Sequence, residues 1–210
     1  ELARLHERLG VTTVYVTHDQ IEAMTLGERV AVLRDGVLQQ YDTPQNLFRH
    51  PANLFVAAFM GSPSMNLVDA FVDQEHVTFG GQRLTLPPGS SLRGSSRKVI
   101  LGIRPTNFEH AATADPSLPR MTVLPEVVED LGAENHVIFS VDAPPVNAEA
   151  VRAASETESD EGMLFADRAK ASFCAVVDTR RPVVQGQPLE LAIDSGLVHF
   201  FDAESGATLV

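Results

Sequence analysis

The chain has 210 residues, with 16 Lys and Arg against 28 Asp and Glu for a formal net charge of -12, and an apolar fraction of 44%. That length allows one large domain or two small ones around a sizeable core, and the composition excludes disordered and fibrous classes. The acidic balance and the aromatic set of 11 Phe, 2 Tyr and no Trp offer neither an electrostatic funnel nor a stacking platform, so nucleic acid is not an expected partner.

One cysteine, Cys174, excludes an internal disulfide and a Cys-based zinc cage; it reads as a small buried hydrophobe. No run reaches the roughly 18 apolar residues of a membrane helix, and no charged-then-apolar leader opens the chain. The first residue is Glu1 rather than Met, within a helical pattern, so we expect a piece of a longer polypeptide.

In chain order, Leu2, Leu5 and Leu9 recur at helical spacing and Gly10 stops them. Val11 to Val16 is a short β-branched run that predicts a buried strand, ending in Thr17-His18-Asp19. Asp19 can cap a helix from Gln20 to Leu26 with Ile21 and Met24 inward, and helix, strand and helix suggest the edge of an α/β sheet. Arg29 to Leu33 and Val37 to Tyr41 flank Asp35-Gly36, a hairpin signal. Asp42-Thr43-Pro44 sets a capping residue before a proline suited to the first helical position. A helix from Gln45 to Arg49 and a second from Ala52 to Met60 follow, and Gly61-Ser62-Pro63-Ser64 marks a domain boundary.

Beyond it the helical period fades and short β runs take over, at 67–72, 76–79, 83–86, 99–104, 121–128, 136–141, 172–177, 189–193 and 197–201. Residues 143–171 differ. They contain Pro144-Pro145 and the acidic stretch Ser155 to Glu161, and read as a flexible insertion with a short helix over 148–154.

His18 stands at the carboxyl end of one predicted element and the start of the next, where α/β folds place ligands. Alone it reads rather as a capping or core histidine. The string Val14 to Gln40 around it, however, closely resembles the segment after the D-loop in the importer members of the ATP-binding cassette (ABC) ATPases. His18 falls on the switch histidine of that family, which contacts the γ-phosphate of ATP. The similarity continues through Asp42-Thr43-Pro44 and Phe55 to Gly61. Ser62 to Asn66 resembles the linker of the carbohydrate branch, whose members import maltose, trehalose or glycerol phosphate. Leu101 to Pro105 and Leu197 to Asp202 resemble landmarks of that branch's C-terminal regulatory (TOBE) domain.

The resemblance implies the α/β tail of a P-loop NTPase domain over 1–61 and an all-β OB-like barrel over 62–210, mostly β overall. It further implies ATP and Mg in the intact protein, a homodimer, membrane permease subunits, a regulatory protein on the β domain, and a cytoplasmic location at the inner face of the membrane. The chain itself carries no Gly-x-x-x-x-Gly-Lys-Ser/Thr, because neither Lys98 nor Lys170 follows a glycine, and no strand ending in Asp-Glu precedes His18. We therefore expect the chain alone to bind no nucleotide and to be inactive, with the segment up to Gly61 poorly packed. Phe79-Gly80-Gly81-Gln82 mimics the family signature but lies after His18 between β runs, and reads as a hairpin.

Glu126, Glu129, Asp130 and Glu134 read as a solvated strand and turn. The other histidines show no metal-ligand spacing, and Arg104-Pro105 reads as a strand exit. The alternative to an importer subunit is a stand-alone OB-like module that binds a small ligand or a protein.

Overall fold

The computed structural model describes residue 8, residues 10–146 and residues 170–209. The opening helix, Arg8 apart, and the predicted helix over 148–154 lie outside the described residues. Of the stretch 143–171 read as a flexible insertion, residues 147–169 also lie outside the described residues; at its ends Ala143 and Ala171 are both buried, and the Ala171 N–H donates to the Ala143 carbonyl.

Three helices are described, α1 (Gln20–Leu26), α2 (Pro44–Arg49) and α3 (Leu54–Phe59), each opened by a side-chain cap from Asp19, Thr43 or Asn53. The predicted strand at 11–16 is not formed. Val14 is 86% and Val16 90% exposed, because a short parallel-type strand is stable only between sheet neighbours, and none flanks it among the described residues. The hairpin is present as β1 (Val30–Arg34) and β2 (Val37–Asp42), turning through Asp35 and Gly36, both at positive φ.

The rest is β. One six-stranded antiparallel sheet contains β3 (Asn66–Gln74), β4 (His76–Phe79), β5 (Gln82–Thr85), β6 (Ser95–Ile103), β13 (His199–Asp202) and β14 (Thr208–Leu209), in the order β14-β13-β6-β3-β4-β5. A second sheet orders β7 (Phe108–His110), β12 (Leu189–Ile193) and β8 (Arg120–Val123) as β7-β12-β8. The third runs β11 (Ala171–Asp178), β10 (Glu134–Val141), β9 (Val127–Asp130). The predicted run 121–128 thus divides at Leu124-Pro125-Glu126 between two sheets, since proline cannot donate to a ladder. The strands β7 and β14 had no counterpart in the sequence reading, being too short to show a period.

The inward faces of all three sheets share one apolar core. Phe173 of β11 stands where they meet, with ring centroids 6.4 Å from Phe79, 6.5 Å from Phe108 and 6.0 Å from Phe139. The Asn66 side chain closes the seam between sheets: its amide donates to the carbonyls of Ile103 (3.0 Å) and Cys174 (2.8 Å), and its oxygen accepts from the Cys174 N–H at 2.7 Å. Cys174 is not the core residue expected from sequence. Period-2 alternation along β11 sends Phe173, Ala175 and Val177 inward and leaves Cys174 half-buried on the other face, where loss of solvation pushes its thiol up to about 11. Phe79 to Gln82 is a tight β4-β5 hairpin, and the acidic residues of β9 and the start of β10 are exposed, as expected.

The expectation of poor packing before Gly61 holds for residues 11–26, where α1 buries none of its residues and Ile21, expected inward, is 70% exposed, but not for α2 and α3. Five of the six residues of α3 are buried. Phe55, Val56 and Ala58 pack with Val32, Leu47 and Met60, whereas Leu54 and Ala57 pack on Met65, just before β3, and on Ile100 and Phe201 of the six-stranded sheet. A helix apolar on all sides is one covered on all sides, and α3 lies between the hairpin with α2 on one side and the β domain on the other. Backbone bonds reinforce the contact, with the Leu54 N–H donating to Gly206 and the Thr208 N–H to Ala52.

Candidate functional site

His18 is exposed on a short turn whose geometry is set by its neighbours. Asp19 Oδ1 accepts from the Ile21 N–H (2.7 Å) and the Glu22 N–H (3.1 Å), and the Asp19 N–H donates to Thr17 Oγ1 at 2.9 Å. Glu22 in turn accepts from the Thr17 hydroxyl (2.7 Å) and the Tyr15 hydroxyl (3.0 Å), and this hydrogen bond raises the Tyr15 phenol above its ordinary value. The head of α1 is therefore tied, and the imidazole it presents makes no hydrogen bond among the described residues.

Gln20, two residues on, ties α1 to the end of α3: its Oε1 accepts from the Gly61 N–H at 2.8 Å. The carbonyl of that same peptide unit, Met60 C=O, accepts from Arg104 Nη1. Arg104 follows β6, is 2% exposed, and also donates to Ala57 C=O (3.2 Å) and Phe48 C=O (2.7 Å), with its guanidinium 4.0 Å from the centre of the Phe48 ring. A cation thus meets the otherwise unpaired carbonyls at the carboxyl ends of α2 and α3, where helix dipoles favour positive charge. Burial without a carboxylate partner draws its pKa down to about 10. Sequence reading took Arg104 for a strand exit. The missed signal was an arginine directly continuing the apolar run Val99 to Ile103, whose two faces are both covered.

His199 of β13 lies on the same side as Phe201, stacked at 6.4 Å between ring centroids. Burial first, then the charges of Arg104 and His50, lower its pKa from an ordinary 6.5 to about 4. It is held neutral when folded, so between about pH 6.5 and pH 4 the unfolded chain binds the extra proton and stability falls as pH falls through that window. His199→Phe keeps the ring against Phe201 and removes the titration. Urea midpoints measured at pH 7 and pH 5 should therefore converge in the variant relative to wild type; an unchanged difference would locate the acid sensitivity elsewhere.

Shallow clefts open on the β domain among the described residues. One of about 570 Å³ runs past Asp69, Phe71, Thr78, Lys98 and Pro144. Another, of about 310 Å³ between β7 and β11, is lined by Thr106, Glu109, His110, Thr113, Asp178 and Arg180, of which Asp178 and Arg180 form an ion pair at 2.5 Å. Among the described residues no group of three His, Cys, Asp or Glu could hold a metal ion, and no helix is long and apolar enough to cross a membrane.

A mostly β domain clasped to a capped helical tail that carries an exposed histidine is the arrangement expected of the C-terminal region of an ABC importer's ATP-binding subunit. Residues 61–108 match the family described as the MalK OB fold domain. The relatives it matches along its length are ATP-binding subunits of sugar importers, and the match is to their C-terminal part. It is 39% identical over 218 residues to the trehalose import ATP-binding protein SugC of Mycobacterium tuberculosis, covering 100% of this chain and 54% of that protein. The diacetylchitobiose uptake system ATP-binding protein MsiK of Streptomyces coelicolor is 36% identical over 100% of this chain and 53% of its own length. The trehalose/maltose import ATP-binding protein MalK of Thermococcus litoralis is 47% identical over 150 residues, 67% of this chain and 40% of that protein. The chain thus spans about half the length of the curated relatives it matches.

The residues present do not by themselves fit ATP or magnesium. The donor set is one exposed imidazole, with no glycine-rich lysine loop in the sequence and no carboxylate cluster among the described residues.

Proposed function

We propose that this chain is the C-terminal half of the ATP-hydrolysing subunit of a carbohydrate importer, residues 1–61 completing a nucleotide-binding domain and residues 62–210 forming a regulatory one. The observation that carries the reading is the similarity along the entire chain, the His18 segment included, to proteins named as sugar-import ATP-binding subunits. In it, His18 supplies one γ-phosphate contact to a site whose phosphate loop, magnesium carboxylates and signature lie on other segments. The exposure of His18, on a turn fixed by Asp19 and Glu22, supports that role. A second copy of the chain, two membrane permease subunits and a regulatory protein on the β domain complete the proposed assembly, at the inner face of the membrane. Pairing of copies is supported by the open edges of β5 and β9, where strands end without neighbours among those described.

The test is ATP turnover by the native protein with and without His18→Ala. Loss of a contact made to charge developing in the transition state is expected to lower kcat by roughly 10²–10³, with binding of a fluorescent nucleotide retained. Undiminished turnover would remove the role given to His18. A native protein that binds no ATP would overturn the whole reading and direct attention to ligands of the β domain.

A further inference from the structure

The two hydrogen bonds at the end of α3 converge on one chemical group. The N–H and C=O of the Met60–Gly61 peptide unit are held from opposite sides, the N–H by Gln20 Oε1 of α1 and the C=O by Arg104 Nη1 of the β domain. A peptide unit is rigid and planar, so turning it moves both partners together. Its position is not adjustable by substitution either. Gly61 has φ +126, and a Cβ there would stand 3.1 Å from both Arg104 Nη1 and Phe48 Cε2.

We propose that Gln20 is a positioning residue for His18, coupled to the β domain through the Met60–Gly61 peptide and Arg104, so that a displacement of β6 against α3 is delivered to the head of the helix that carries His18. No other described contact joins α1 to the β domain by hydrogen bonds, and α1 buries none of its own residues. Its placement therefore depends on this link and on its packing against α2, with Met24 touching the cluster around Leu47. The proposal rests on the functional reading above for the significance of His18, but the coupling is a property of this chain and can be tested in it directly.

The experiment is amide hydrogen exchange on the chain in three variants, read at Ala23 and Gly27, which bond to Asp19 C=O and Ala23 C=O within the α1 turn. Gln20→Leu removes the acceptor and should speed exchange in α1 about three- to tenfold, the range set by the net contribution of one hydrogen bond. Gln20→Glu retains an acceptor oxygen and should restore protection. Arg104→Lys touches no residue of α1, yet should also speed exchange there. The amides of β10 and β11 serve as the internal control for an intact fold and should stay protected in all three. The coupling is overturned if Arg104→Lys leaves α1 unchanged while β10 and β11 remain protected, or if Gln20→Glu behaves like Gln20→Leu. If Arg104→Lys disturbs β10 and β11 as well, the pair of Gln20 variants decides, because that side chain lies outside the β domain.

In the native protein the matching expectation is a lower kcat for Gln20→Leu with the KM for ATP unchanged. Coupling in the chain together with normal turnover for His18→Ala would preserve the link and overturn the functional reading. Loss of turnover for His18→Ala with no response of α1 to either residue would preserve that reading and overturn the link.

Discussion

Replacing Arg104 by alanine is expected to release α2 and α3 from the β domain at a cost of about 3–5 kcal/mol, the scale of removing one partner from a buried charged network. The guanidinium donates to three backbone carbonyls, on Phe48, Ala57 and Met60, and covers the Phe48 ring. Truncation leaves those carbonyls buried and empties the volume around them. The measurement is urea denaturation followed by amide protection at Leu54, Ala57 and Met60, whose N–H groups bond to Gly206, Asn53 and Val56. The expected pattern is early loss of protection at those three amides while β10 and β11 persist. Wild-type stability and protection in the variant would show that apolar contact alone, from Leu54 and Ala57 onto Ile100 and Phe201, holds the two parts together.

Phe173→Ala should be comparably severe, about 3–5 kcal/mol for a buried phenylalanine, but with a different pattern. Phe79, Phe108 and Phe139 reach Phe173 from β4, β7 and β10, one or more from each sheet. The cavity therefore opens at the point common to all three, and the loss should appear cooperatively across the β domain. Phe173→Leu keeps most of the volume and should lose less. A shift below about 1 kcal/mol for the alanine variant would mean that the sheets are stabilised separately and do not share one core.

Much of this architecture was legible in the sequence because its signals are local. Asp19, Thr43-Pro44, Asp35-Gly36 and Gly80-Gly81 act within a few residues of themselves, and each does what its chemistry suggests. The exception at 11–16 is instructive, since β-branched residues specify a strand only where another strand supplies the ladder.

His18 was legible through its neighbours rather than through itself. What escaped reading acts at long range: Gln20 reaches Gly61, Arg104 reaches Phe48, and Asn66 reaches Cys174, across 41, 56 and 108 residues of sequence. A weak trace of Asn66 exists, since it occupies the inward phase of β3 with Val68, Ala70 and Val72, where an amide is out of place unless it is paired. Its partners could not be named without the fold.

The seam that Asn66 closes has a bearing on how the protein ages. A carboxamide can serve both carbonyls and an N–H there because it presents a donor and an acceptor side by side. Hydrolysis of that amide to aspartate exchanges a single NH2 for oxygen, and an ionised acceptor then faces the Ile103 and Cys174 carbonyls. The reaction that accomplishes this in proteins needs the following backbone nitrogen to swing onto the side chain, and at Leu67 that nitrogen belongs to an extended strand paired against β6 over its whole length. Residue 66 is therefore both a position at which chemical wear would be disruptive and one at which the strand geometry itself delays it.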